Sequence, residues 1–184
     1  MALDPSSPEA KLLRVLCDMR VAQGFLTPAL LSKETGLHVK LVEDARSELE
    51  ARGAVGKEDD LLKKSPGEPA RGFWWRPTFK GYRELVGEQA ADELKAKTLL
   101  ELERQTRSFP DADAIHLGQI YVNFALVSDV LATLEQEGLT SSRPSLTSEK
   151  YQRWELTGSG ARVLEVARLK TVAELKAASP GFEI

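Results

Sequence analysis

Two stretches, one in each half of the chain, align without gaps and constrain the fold more than any other feature. They read LVEDARSELEARGAV from Leu41 and LVSDVLATLEQEGLT from Leu126, 85 positions further on. In both, apolar residues follow the spacing i, i+1, i+4 and i+8, which places them on one stripe of an α-helix. A glycine, Gly53 or Gly138, ends each stripe and supplies the left-handed residue that closes a helix. The repeat predicts a duplication in which each half has its own compact core.

Helix start and stop signals precede the first of these helices. Thr27 has the position of an N-cap, Pro28 that of the first helical residue, and Gly36 that of the glycine that closes a helix. A short helix of about two turns, a tight turn and a longer helix are therefore predicted in succession.

A tryptophan-containing run follows each repeat helix. The runs 72–78 and 151–157 combine aromatic and β-favouring residues with flanking glycine, proline or serine, which predicts two β-hairpins. Trp75 and Trp154 align and are predicted core residues. The motif Thr-x-x-Gly follows each run, and its threonines, Thr78 and Thr157, are predicted N-caps of the next helices.

The segment that joins the two halves is strongly helical in composition. From Phe79 to Phe109 it has no proline and is rich in strong helix formers. This predicts one long helix that both halves share, or two helices broken near Gly87.

Two capping boxes predict helices near the ends of the chain. The first, Ser6 to Glu9, opens a helix that ends near Gly24. The second, Thr171 to Glu174, starts a C-terminal helix that frays after Ser179.

This order of elements resembles the winged helix-turn-helix fold, especially that of bacterial regulators of the MarR and PadR type. The resemblance rests on LLSKETGLHVKLVEDARSELEARGAV with WWRPTFKG, and on LVSDVLATLEQEGLT with RWELTGSG. We expect a mainly α fold with small β-hairpins (α+β), in which two winged helix-turn-helix units stand in tandem, joined by a long shared helix. The expected units are 6–90 and 91–170, followed by a C-terminal helix and tail, 171–184.

Composition narrows the classes of function. The chain has 184 residues, is 42% hydrophobic and has a net charge of −3, so any affinity for nucleic acid must come from local patches. The single cysteine, Cys17, excludes an intrachain disulfide and is interpreted as a small buried hydrophobe. No export signal or membrane span is recognised, and we expect a cytoplasmic protein. The two histidines, His38 and His116, lie in different halves, and no catalytic motif, metal site or cofactor site is predicted.

In the families that the chain resembles, the second helix of the turn motif enters a DNA major groove and the hairpin loop forms the wing. The resemblance implies a sequence-specific or architectural DNA-binding protein, and we expect a transcriptional regulator whose two fused units imitate the two half-sites of a dimer on double-stranded DNA. The residues that it assigns to DNA contact are His38 and Lys40 in the first recognition helix, Lys63, Lys64 and Arg71 in the first wing, and Arg143, Lys150 and Arg153 in the second.

The recognition faces themselves favour a different partner. On the first recognition face, the carboxylates of Glu43 and Asp44 would repel phosphate. The second face has no cation; its groove-facing positions are Asn123, Ala125, Ser128, Asp129 and Thr133. The alternative is a protein-interaction module, since tandem winged helices also occur in chromosome-segregation accessory subunits and in membrane-remodelling complexes. The sequence leaves open whether the partner is DNA or protein, and whether the chain forms a homodimer through its terminal helices.

Overall fold

A computed structural model describes residues 3–18, 27–58, 74–108, 124–144 and 152–178. Within them the chain is mainly helical, with seven helices and two small antiparallel hairpins, which confirms the expected α+β class. The first half contains α1 (Pro8–Asp18), α2 (Pro28–Thr35), α3 (Val39–Ala51), β1 (Val55–Glu58), β2 (Trp74–Pro77) and α4 (Phe79–Val86). The second contains α5 (Glu88–Ser108), α6 (Phe124–Gln136), β3 (Thr140–Pro144), β4 (Gln152–Leu156) and α7 (Gly158–Ala178).

Most of the predicted helix ends are confirmed. The hydroxyl of Thr27 accepts the backbone N–H of Leu30 at 3.2 Å and caps α2. Gly36, Gly53 and Gly138 all have φ between 69° and 73°, the left-handed conformation that a residue with a side chain rarely adopts. The α2–turn–α3 unit and the ends of α3 and α6 are therefore set by short-range signals.

The ends of the chain differ from the prediction. Helix α1 is capped by Ser7, whose hydroxyl accepts the N–H of Ala10 at 3.1 Å, and not by a box from Ser6 to Glu9. Its predicted end near Gly24 lies outside the described residues. Thr171 lies inside the continuous helix α7 and starts no new helix, because nothing before it stops the helix that Thr157 begins.

The connecting segment forms two helices and not one long shared helix. Gly87 separates α4 from α5 with φ 87° and ψ 170°, a conformation that a helix does not contain. Glycine is the residue that adopts this backbone conformation readily, so the break between α4 and α5 falls at the glycine. The expected unit boundaries after residues 90 and 170 fall within α5 and α7.

The two hairpins have the same register at their bases. Val55 lies opposite Pro77 in the first, and Thr140 lies opposite Leu156 in the second. Val55 and Thr140 are 85 positions apart, so the repeat continues into the first strand of each hairpin.

A repeated hydrogen-bonding pattern joins each hairpin to the helix that follows it. The hydroxyl of Thr78 donates to Gly53 O at 2.8 Å and accepts from Gly81 N at 3.0 Å, and Thr78 N donates to Ala54 O at 3.1 Å. In the second half, Thr157 makes the same three bonds at 2.7, 3.1 and 3.1 Å. We call this arrangement the threonine–glycine lock.

The buried side chains of the two halves form one main cluster. It contains Leu12 and Leu49 from the first half together with Leu126, Val130 and Leu164 from the second. The expectation of a separate core for each half is therefore wrong, because α6 buries part of its apolar stripe with first-half residues. A smaller cluster belongs to the second half alone and consists of Leu102, Val127, Leu131 and Trp154.

Cys17 lies in the main cluster, as its interpretation as a small hydrophobe predicts. Burial, followed by the nearby charge of Asp18, raises the pKa of the thiol to about 12. The thiol is therefore protonated at neutral pH and is not poised as a nucleophile.

The lock predicts which glycines tolerate a methyl group. A Cβ at Gly81 would lie 2.1 Å from Ala54 O, and one at Gly160 would lie 2.1 Å from Leu139 O. We expect Gly81→Ala and Gly160→Ala each to lower the free energy of unfolding by about 3 kcal/mol, measured by urea denaturation, because the backbone must move. Gly158→Ala is the matched control, since its Cβ meets no described atom within 4 Å, and should change stability by no more than about 0.5 kcal/mol. Equal effects at Gly160 and Gly158 would contradict the lock.

Candidate binding surface

The turn between α2 and α3 is held by side-chain hydrogen bonds. Ser32 donates its hydroxyl to Leu37 O at 2.5 Å, and Thr35 donates its own to Leu31 O at 2.6 Å. His38 caps α3, because its Nδ1 accepts the N–H of Lys40 at 3.3 Å. These bonds satisfy backbone groups that the turn leaves unpaired and fix the direction in which α3 leaves it.

Helix α3 buries one stripe and exposes the rest of its surface. Val42, Ala45 and Leu49 lie in the main cluster. Leu41, which the repeat places on the predicted apolar stripe, is instead 46% exposed. The other exposed side chains are mainly charged or polar: His38, Lys40, Glu43, Asp44, Ser47, Glu48 and Glu50. This exposed side of α3, from Lys40 to Glu48, is called the α3 face below.

The α3 face has an acidic character. Glu43, Asp44 and Glu48 lie on it against the single cation Lys40. Because α3 meets solvent on this side, its carboxylates repel phosphate and attract cationic groups.

The described positions of the equivalent face of α6 are buried or half-buried. Leu126, the counterpart of Leu41, is only 5% exposed and belongs to the cluster that both halves share. Asp129, the counterpart of Asp44, accepts the backbone N–H of Phe79 at 2.5 Å. Its carboxylate thus lies at the N-terminus of α4, where the partial positive charge of a helix favours an anion. Helix α6 is docked on the first half through the face that its repeat partner exposes.

The predicted groove-facing residues of the second half are therefore not displayed as expected. Ser128, Asp129 and Thr133 are half-buried. Thr133 donates its hydroxyl to Asp129 O within the helix at 2.8 Å. Asn123 lies outside the described residues, and so does the side chain of Ala125. Within the described residues, α3 and α6 therefore do not present two equivalent exposed faces.

The predicted DNA contacts divide into three groups. His38 and Lys40 are exposed at the first turn of α3. Arg143 and Arg153 lie opposite each other in the second hairpin, and both contact Glu155, at 2.8 and 3.7 Å. The shared carboxylate reduces the positive charge that this hairpin offers to phosphate. The remaining four, which are Lys63, Lys64, Arg71 and Lys150, lie outside the described residues, as does His116.

The aligned tryptophans pack in different ways. Trp154 is buried with Leu131, as predicted for a core residue. Trp75 is half-buried, and the guanidinium of Arg46 lies 4.2 Å from its ring centroid. Arg46 is the repeat counterpart of Leu131, so a cation–π contact in the first half replaces an apolar contact in the second. Sequence reasoning missed this pair, although the alignment of Arg46 with Leu131 and of Trp75 with Trp154 carried the signal.

The described part of the chain offers neither a cluster of metal-ligating side chains nor a membrane-spanning helix. No three His, Cys, Asp or Glu side chains there could hold a metal ion together. Among those same residues, no helix is long and apolar enough to cross a membrane.

Comparison with known proteins found no match: no family model, no curated protein and no solved structure is similar to this chain.

The contrast between the two aspartates predicts unequal effects on stability. Asp129→Ala removes the acceptor of the Phe79 N–H and should lower the free energy of unfolding by about 1 to 2 kcal/mol. Asp44→Ala alters an exposed residue and should change it by no more than about 0.5 kcal/mol. Urea denaturation of both variants measures the difference. If the two substitutions had the same effect, the docking contact of α6 would be in doubt.

Proposed function

We propose that this chain is a protein-binding module made of two winged helix-turn-helix units in tandem, and that α3 is its binding helix. The repeated threonine–glycine lock supports the tandem arrangement, because both halves carry the same helix, hairpin and helix joined by the same hydrogen bonds. The first half adds α1 and α2 ahead of its lock, in the order that the winged-helix resemblance implies. On this proposal the chain acts by binding and not by catalysis.

One observation carries the choice of α3. Among the described residues, α3 and α6 have the same length and the same repeat pattern; the face of α3 is exposed, whereas the equivalent positions of α6 are buried or half-buried. The latter helix is used to dock its half of the chain. Helix α6 therefore has a structural role, and α3 is the repeat helix that we assign to partner binding.

The composition of the α3 face supports a protein partner. Besides its three carboxylates it exposes Leu41, and Val39 at the start of α3 and Leu30 on α2 are each 36% exposed. Acidic and apolar groups on one helix-turn-helix unit suit a protein surface with cationic and apolar groups. They do not suit a duplex, whose phosphates repel the carboxylates.

Duplex DNA is the second candidate, and a specific observation favours it. His38 and Lys40 are exposed at the N-terminal turn of α3, where the resemblance places major-groove contacts. A DNA-binding role would use this turn together with the cations of the first wing.

Site-specific photo-crosslinking in lysate of the source organism tests the proposal. A photo-crosslinking amino acid at position 48 should form one discrete protein adduct. Leu41→Glu should abolish that adduct, because it removes the apolar part of the α3 face. Leu100→Glu should leave it intact, since Leu100 is exposed to a similar extent, 43%, but lies on α5. An adduct that survives Leu41→Glu, or the absence of any adduct, would count against α3 as the binding helix.

A DNA arm separates the two candidates. Fluorescence anisotropy with mixed-sequence duplex DNA at low salt should show no saturable binding by the wild-type protein. If DNA were the partner, binding would saturate and Lys40→Ala would reduce the slope of log affinity against log salt by about 1. Glu43→Gln would then strengthen binding, because it removes a charge that repels phosphate.

A further inference from the structure

Two of the residues through which α6 docks, Leu126 and Asp129, have identical counterparts on α3. Leu41 and Asp44 are identical in type to Leu126 and Asp129 and lie at the equivalent helical positions. In α6 this pair is engaged with the first half. In α3 both side chains are exposed, and no described residue donates to the carboxylate of Asp44. The α3 face therefore carries the same two residues as the face of α6 that is docked on the first half.

The site that receives Asp129 is also repeated. It is the N-terminus of α4, where Thr78 accepts the N–H of Gly81 and the N–H of Phe79 is left for an external carboxylate. At the N-terminus of α7, Thr157 accepts the N–H of Gly160 in the same way. Gly158 is the equivalent of Phe79; it is exposed, and no described residue accepts its N–H. We call the N-terminus of α7 the α7 seat.

The charges of the two surfaces are complementary. The α7 seat combines the positive end of a long helix with Arg162, which is exposed and donates to Gly158 O at 3.3 Å. The α3 face is acidic. A carboxylate from α3 would meet at this seat both the Gly158 N–H, which no described residue accepts, and the cation of Arg162.

We propose that α3 of one chain docks on the α7 seat of a second copy of the chain. Between chains, Asp44 and Gly158 N repeat the contact that Asp129 and Phe79 N make within each chain. This inference rests on the proposed function, since it names the partner of the α3 face.

The contact is head-to-tail, because each chain contributes one face and one seat. Such an interface closes into a ring or continues as an open chain of molecules. The seat has glycine where α4 has Phe79, so it offers less apolar contact than the internal site. The association is therefore weaker than the internal docking and depends on protein concentration.

Sedimentation velocity of the full-length protein over a range of concentrations at low ionic strength tests the proposal. The wild-type sedimentation coefficient should rise with concentration. Asp44→Arg, the face variant, reverses the docking charge and should remain monomeric. Gly158→Pro, the seat variant, removes the backbone N–H that the contact needs. Proline is tolerated at the first position of a helix, so the variant should fold and should also remain monomeric. Glu93→Arg makes the same charge change at an exposed position of α5, on neither the α3 face nor the α7 seat, and should associate like the wild type.

Mixing the two monomeric variants gives the sharpest result. The intact seat of the face variant and the intact face of the seat variant should combine into a 1:1 dimer that grows no further. A wild-type protein that stays monomeric, or a mixture that does not combine, would overturn the head-to-tail contact. If a wild-type monomer still forms the adduct at position 48 with another protein, only the self-association is refuted. If neither is seen, the proposed function fails as well.

Discussion

The docking of α6 on the first half is the interaction on which the rest of the structure depends. The carboxylate of Asp129 lies at the N-terminus of α4, and Leu126 and Val130 on the same helix enter the cluster that both halves share. Because α6 is held there, the two halves have one main core, and the described α6 positions equivalent to the α3 face are buried or half-buried. A carboxylate at a helix N-terminus fixes the orientation of the docked helix as well as stabilising it, since it accepts one particular N–H. The apolar residues beside it stabilise the docking through the surface that they remove from water.

The two halves thus share a backbone design but use it differently. The threonine–glycine lock is the same in both, because Gly81 and Gly160 leave no room for a side chain against the preceding turn. Side chains on the repeat helices are free to differ, and Arg46 over Trp75 stands where Leu131 packs on Trp154. Helix α6 packs into the shared core, and helix α3 has an exposed face that is acidic and partly apolar.

Sequence reasoning succeeded where short-range interactions decide the structure. The cap at Thr27, the left-handed glycines and the two hairpins follow from neighbours within a few residues, and all are confirmed. It failed at Thr171, because a Thr-x-x-Glu pattern fits a helix interior as well as a helix start. It also failed for the site: Leu41 and Leu126 lie in the same pattern, yet one is exposed and the other buried. Which of the two is covered depends on contacts between residues far apart in sequence, and periodicity within one helix does not contain that information.

Native-state hydrogen exchange with increasing denaturant tests the central claim most directly, which is that α6 is docked on the first half in one shared core. The amides of α1, α3 and α6 should converge on a single unfolding free energy, because opening any of these helices breaks the main cluster. Exchange of α6 and the second hairpin at a distinctly lower free energy than α1 and α3 would show two independently stable halves and contradict the account.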